Sequence, residues 1–143
     1  MKKIFATALI AAAVSFGFVS QGAAASLVAH VDIGAQRMTV TESGRVVASW
    51  PVSTGRKGFA TPSGSYKPTR MHRMWYSKKY DNSPMPYSVF FRGGYAIHGT
   101  GYVKQLGRPA SHGCVRLATG NAAAFYSLVK QHGAKNTRIV LVN

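Results

Sequence analysis

One residue in this chain can act as a sulfur nucleophile, Cys114, the single cysteine of 143 residues. It sits in the stretch Ser111-His112-Gly113-Cys114-Val115-Arg116-Leu117, with a histidine two positions before it, a glycine directly before it and an arginine two positions after. A thiol attacks as thiolate, and a free thiol of pKa ~8.5 supplies only a small fraction of it at neutral pH. Nearby positive charge and a proton-accepting imidazole both raise that fraction. Gly113 puts no side chain between the backbone and an approaching carbonyl, and leaves amides free to donate to a developing oxyanion. A lone cysteine can equally be a small buried hydrophobe. Composition alone does not separate the two, but Ser111, His112 and Arg116 are poor company for an inert buried thiol.

Five histidines could serve the thiol. His30 lies mid-strand and His132 near the end of an expected helix, both suited to structural roles, while His72 is ambiguous. His112 is too close in sequence to face the thiol across a tight turn, which suits it to fixing the loop. His98 is placed best: it is expected to end a strand, glycine follows it, and the chain back to Cys114 is short. A thiol and an imidazole within hydrogen-bond reach form a nucleophile–base pair. Such a histidine needs an orienting partner. The acids Asp32, Glu42 and Asp81 are all remote in sequence from His98 and Cys114, so a backbone carbonyl is expected instead, Gly99 first. One cysteine with scattered histidines lacks the paired ligand spacing of a zinc site, and no cofactor motif is present.

The elements that must position these residues read mostly as strands. Leu27 to Ile33 alternates apolar and polar, Gly34-Ala35-Gln36 turns, Met38 to Thr41 returns, and Val46 to Trp50 follows a turn at Glu42-Ser43-Gly44, an antiparallel meander. Ser53 to Gly58 and Thr61 to Gly64 have loop composition. Tyr66 to Met71 is expected as a strand. His72 to Pro86, with two prolines among Trp75, Tyr76, Lys78, Lys79 and Tyr80, is expected as a surface loop without regular structure. Its aromatics either pack as a satellite cluster or contact substrate, with Tyr76 a substrate-binding candidate. Tyr87 to Arg92 and Tyr95 to His98 form a hairpin across Gly93-Gly94. Thr119 or Asn121 is expected to cap a helix running to about His132, closed by Gly133, and Thr137 to Val142 is a last strand. The sum is a mostly β domain with one main helix near the C-terminus, a sandwich or curled sheet.

The first residues read as an export signal: Lys2 and Lys3, an apolar run from Ile4 to about Val19, then Gly22-Ala23-Ala24-Ala25, with cleavage expected after Ala25. The run is shorter than the roughly 18–20 residues that span a bilayer, so no stable membrane span is expected after cleavage. Residues 26–143 are then one domain, exported to the periplasm or cell wall, with a thiol that has no internal disulfide partner. The 18 Lys and Arg against 3 Asp and Glu give a formal charge of +15. Outside the cytoplasm that charge disfavours nucleic acid as a partner and suits anionic lipid or a carboxylate-rich wall.

His98-Gly99-Thr100 followed by Ser111-His112-Gly113-Cys114-Val115-Arg116-Leu117 resembles the signature of the L,D-transpeptidase (YkuD-type) catalytic domain. Val52-Ser53-Thr54-Gly55, Thr61-Pro62-Ser63-Gly64 and Met85-Pro86-Tyr87 resemble it too, so the likeness spans most of Leu27 to Val142. The resemblance implies a β-sandwich-like fold, Cys114 as nucleophile and His98 as general base. The implied substrate is a peptidoglycan stem tetrapeptide cut between diaminopimelate and D-alanine, with the thioester then passed to an amine of a second stem or of an envelope protein. It further implies an oxyanion site at the amides around Gly113 and Cys114, with Gly99, Ser111 and His112 as orienting candidates. Arg116 and Tyr87 are candidates for holding substrate. No metal or cofactor is needed by such a mechanism. Hydrolysis at the same residues, or a non-catalytic basic module that binds the wall, are the competing readings.

Overall fold

The computed structural model describes residues 25–143; the expected export signal, residues 1–25, lies almost wholly outside them. Two sheets and one helix make up the described chain. The first sheet begins with the expected meander, β1 (Leu27–Asp32), β2 (Arg37–Glu42) and β3 (Arg45–Pro51), all antiparallel neighbours. Leu27, Ala29 and Val31 of β1 and Met38 and Val40 of β2 are fully buried, the period of two that a one-sided sheet requires. The chain then forms the short β4 (Gly64–Tyr66) and, far later, β9 (Thr137–Val142), which inserts parallel to β1 and antiparallel to β4. The order is β3-β2-β1-β9-β4.

The second sheet runs in order β5 (Arg70–Ser77), β6 (Ser83–Arg92), β7 (Tyr95–Thr100) and β8 (Val115–Ala118). The helix α1 (Thr119–His132) follows β8 directly. Its buried residues Ala122, Phe125 and Val129 join Ile97, Val115 and Leu117 of the second sheet and Leu27, Ile139 and Leu141 of the first in one core. Apolar area removed from water at about 25 cal/mol per Å² drives that assembly. Beyond the helix, Gly133 takes φ +84 and donates its N–H to Val129 O at 2.8 Å, the expected cap. His132 ties the helix end to the first sheet, Nε2 to Glu42 Oε2 at 2.9 Å and Nδ1 to Ser26 Oγ at 3.0 Å. Among the described residues no helix is long and apolar enough to cross a membrane.

Four local expectations are corrected. Residues 72–86 are not an irregular loop: they form most of β5, a 3-10 turn at Lys78–Tyr80 and the start of β6, a long hairpin paired Met74 to Pro86 and Ser77 to Ser83. Its prolines are tolerated because β7 pairs with β6 only from Val89 on. Positions 84 and 86 share one edge of the strand, and no ladder donor is needed on an edge left open. The expected strand from Tyr66 to Met71 is split at Lys67-Pro68-Thr69, where the chain leaves the first sheet for the second. His98 does not end its strand; β7 continues to Thr100. Neither Thr119 nor Asn121 caps α1: the cap position is Ala118, without a side-chain hydrogen bond, because β8 passes into the helix with no intervening turn. Thr119 Oγ1 instead donates to Thr100 O at 3.4 Å.

Candidate active site

Two strands that are neighbours in space, β7 and β8, position the candidate residues. They pair in parallel with His98 opposite Arg116 and Ile97 opposite Val115. Side chains alternate along a strand, so Ile97, Val115 and Leu117 enter the core while His98 and Arg116 share the opposite face. Cys114 precedes β8 by one residue and so falls on the same face as Arg116. A parallel pair needs a long connection. Here it runs from Gly101 to Cys114 and delivers the cysteine beside the strand that carries His98.

That connection is bound down at several points. Thr54 O accepts from the amides of Ala110 and Ser111 (3.0 and 2.9 Å), and Ser53 and Arg116 exchange both backbone bonds at 3.0 and 2.9 Å. Ser111 Oγ donates to Cys114 O at 2.6 Å and accepts from Gly113 N–H at 3.0 Å. Thr61 Oγ1 accepts from Gly55 N–H and donates to Gly113 O, both at 2.8 Å. The two loop-like segments around residues 53 and 61 thus serve as a cradle for the cysteine turn. Thr61 was not among the residues singled out from sequence, although its Thr-Pro-Ser-Gly context was.

His98 is buried, and its Nδ1 lies 2.7 Å from Gly99 O. A carbonyl only accepts, so Nδ1 carries the proton and Nε2 keeps a lone pair. Burial lowers the imidazole pKa to about 4, with the Gly99 bond opposing and Arg116 adding to the shift. Cys114 packs against Met85, Phe90 and Ala96, with Trp75 beside them, and its Sγ donates to Gly94 O at 3.7 Å. Burial pushes its pKa up, against the lowering effects of the Ala96 amide and Arg116. At neutral pH the proton therefore rests on sulfur and His98 is neutral.

His98, Cys114 and Arg116 line one cavity of about 470 Å³, together with Thr100, His112, Tyr80 and Tyr102. A second cavity of about 330 Å³ also reaches Cys114 and His112. Burial pulls the Arg116 pKa down while Cys114 and Tyr102 hold it up, and its Nη1 donates to Gln105 Oε1 at 3.3 Å. His112 does not face the thiol as a partner. Its ring is stacked on Tyr80 (4.2 Å between centroids, 19°) and edge-on to Phe59 (4.9 Å), joining the tip of the β5–β6 hairpin to the cysteine turn. Burial first, then Arg56, Arg116 and Lys79, lower its pKa.

Three expected site residues are placed differently. Tyr87 lines neither cavity; it packs on Tyr126 of α1 with centroids 5.8 Å apart. Tyr76 is exposed and also lines neither. The hairpin alternation turns Trp75 and Ser77 inward and Tyr76 out; Tyr80 and Tyr102 are the tyrosines at the first cavity, Tyr80 and Tyr95 those at the second. Gly113 also differs from its expected use: its φ is +116, and a Cβ there would lie 2.6 Å from Tyr95 Cε1. The missing side chain makes room for Tyr95 rather than for substrate, and its amide is already engaged by Ser111 Oγ.

A family model for the L,D-transpeptidase catalytic domain, YkuD, matches residues 26–141. This chain belongs to that family. YkuD of Bacillus subtilis (strain 168) is 26% identical over 103 residues, 69% of this chain and 58% of the relative. Among solved structures, an L,D-transpeptidase from Stackebrandtia nassauensis superposes with TM-score 0.73 at 26% identity, over 90% of this chain and 61% of the other. One from Mycobacterium smegmatis gives TM-score 0.74 at 23% identity, over 82% and 59%. LdtMt1, solved in complex with imipenem, gives 0.72 at 24%, over 82% and 59%. The L,D-transpeptidase catalytic fold, mostly β with one helix, is thereby shared. The chain spans about three-fifths of the length of these relatives.

Proposed function

We propose that this protein is an exported cysteine L,D-transpeptidase acting on peptidoglycan stem peptides at the periplasmic face or in the wall. The observation that carries the reading is the convergence, on one cavity, of Cys114 and a neutral His98 whose tautomer is set by Gly99 O. The export signal expected over residues 1–25 supplies the compartment.

Cys114 Sγ attacks the carbonyl of the diaminopimelate–D-alanine amide as its proton passes to His98 Nε2. With the proton on sulfur at rest, transfer accompanies attack, as in general-base catalysis. The oxyanion forms beside the cysteine turn, where the Cys114 amide is the donor of choice, since the Gly113 amide is held by Ser111. Collapse breaks the C–N bond, His98 returns the proton to the leaving amine of D-alanine, and a thioester remains. An amine of a second stem, or of an envelope protein, then attacks the thioester. Its N–C bond forms, the C–S bond breaks, and its proton reaches sulfur through His98. Arg116 stabilises charge on sulfur or on a substrate carboxylate, and Ser111 and His112 hold the turn.

Hydrolysis uses the same residues with water as acceptor. The two cavities meeting at Cys114 favour transfer, because the acyl group can stay in one while amines exchange in the other. Incubation with tetrapeptide muropeptides is expected to give cross-linked dimers; tripeptide alone would favour a hydrolase. The non-catalytic wall-binding alternative predicts no mass increase on Cys114 after imipenem, whereas the enzyme reading predicts one adduct that Cys114→Ala abolishes.

A further inference from the structure

The second cavity is cationic without being neutralised. Arg70, Lys78 and Lys79 line it, with Trp75, Tyr80 and Phe90 as its aromatic walls, and no acid lines it. The Arg70 guanidinium is fixed over Phe90 (3.6 Å to the centroid) and Trp75 (4.7 Å), and Lys79 Nζ lies 5.5 Å from the Tyr80 centroid. Among the described residues the one ion pair within 4.0 Å is His132 with Glu42. Asp81, two residues beyond Lys79, is exposed and outside the lining. Cations gathered on an aromatic-walled recess with no carboxylate partner make a site for an anionic ligand.

Which part of the substrate enters follows from the position of the base. The departing amine takes its proton from His98, and by microscopic reversibility the arriving amine gives its proton to His98. Both amines therefore occupy the cavity that His98 lines. The acyl group, attached to sulfur through both steps, is left the adjoining cavity, which reaches Cys114 but not His98. We propose that the second cavity is the acyl-donor subsite and that Arg70, Lys78 and Lys79 select donor stems whose carboxylates are free rather than amidated. This deepens the transpeptidase reading and rests on it. Tyr80, Ser77, Met85, Gly94 and His112 bound both cavities, which therefore adjoin at Cys114.

The test follows the first half-reaction, D-alanine release and the acyl-enzyme mass, with a free-carboxylate tetrapeptide and its amidated counterpart. On the wild-type chain, amidation is expected to lower kcat/KM roughly ten- to thirtyfold, the size of a lost charge-assisted contact. In the double variant Lys78→Gln/Lys79→Gln, both on the exposed hairpin tip, the free-carboxylate donor should fall by a similar factor and the amidated donor by less than about threefold. Equal use of both donors by the wild type, or an equal loss on both in the variant, overturns the subsite while leaving the transpeptidase reading intact. Absence of any acyl-enzyme on Cys114 with either donor overturns both.

Discussion

At the scale of single residues, the candidate site brings a neutral thiol and a neutral imidazole to one cavity. His98 titrates at about 4 and the Cys114 thiol is pushed up, both by burial. Acylation by imipenem should therefore keep its rate down to pH ~5 and lose it on an acid limb near 4, well below the ordinary imidazole value of ~6.5. An acid limb at the ordinary value would show that burial does not depress His98. In His98→Gln the acylation rate constant should fall by roughly 10²–10⁴, measured by intact mass against time. The same burial makes His98 a linkage site. Its folded pKa is below its unfolded one, so above 6.5 neither state is charged, and between 6.5 and 4 the unfolded chain binds the proton that the folded chain refuses. Stability is thus fully present above that window and is lost as pH falls through it, by roughly 3 kcal/mol at about 1.4 kcal/mol per unit. Denaturant melts at pH 7 and pH 4.5 should show a smaller loss in His98→Gln than in the wild type.

At the scale of elements, the cysteine turn depends on partners from two other segments. Thr61→Val removes the hydroxyl that accepts from Gly55 N–H and donates to Gly113 O, leaving a buried carbonyl and an amide unpaired. We expect a loss of roughly 1–3 kcal/mol and slower acylation from a loosened turn, both read on one purified variant. Gly113→Ala meets a positive φ and the Tyr95 ring together, and should cost roughly 2–4 kcal/mol. Adding Tyr95→Leu should recover the steric part in the same melts and leave the backbone part. The β5–β6 hairpin is fastened to the turn through the Tyr80–His112 stack. That contact could not be read from spacing, because it joins residues 32 positions apart on two different elements.

At the scale of the whole molecule, the charge of +15 acts as a field rather than through pairs. Dispersed positive charge raises the local concentration of polyanions, and its reach shortens with the Debye length as salt rises. Retention on isolated wall sacculi is expected to weaken progressively between about 0.05 M and about 0.5 M salt, while imipenem acylation of Cys114, which involves no extended polyanion, changes little. Cosedimentation and mass spectrometry on the same samples separate the two effects.

Sequence by itself determined what depends on neighbours along the chain. The alternation in Leu27–Asp32 and Arg37–Glu42 set which side of each strand is buried, Gly133 set the end of α1, and the lone Cys114 among Ser111, His112 and Arg116 marked the candidate nucleophile. His98 was legible as the candidate base because of its spacing from Cys114, and Gly99 as its carbonyl neighbour because no acid lies near it in the chain. Tertiary structure alone decided which remote groups meet. The register of β7 against β8 put His98 and Arg116 on one face. An open edge let a proline-bearing segment become a hairpin over the thiol, which left Tyr76 outside, brought Tyr80 in, and collected Lys78 and Lys79 beside Arg70. Burial then shifted His98 and Cys114 in opposite directions. Desolvation and packing are properties of space around a group, and local sequence carries no record of what will fill that space.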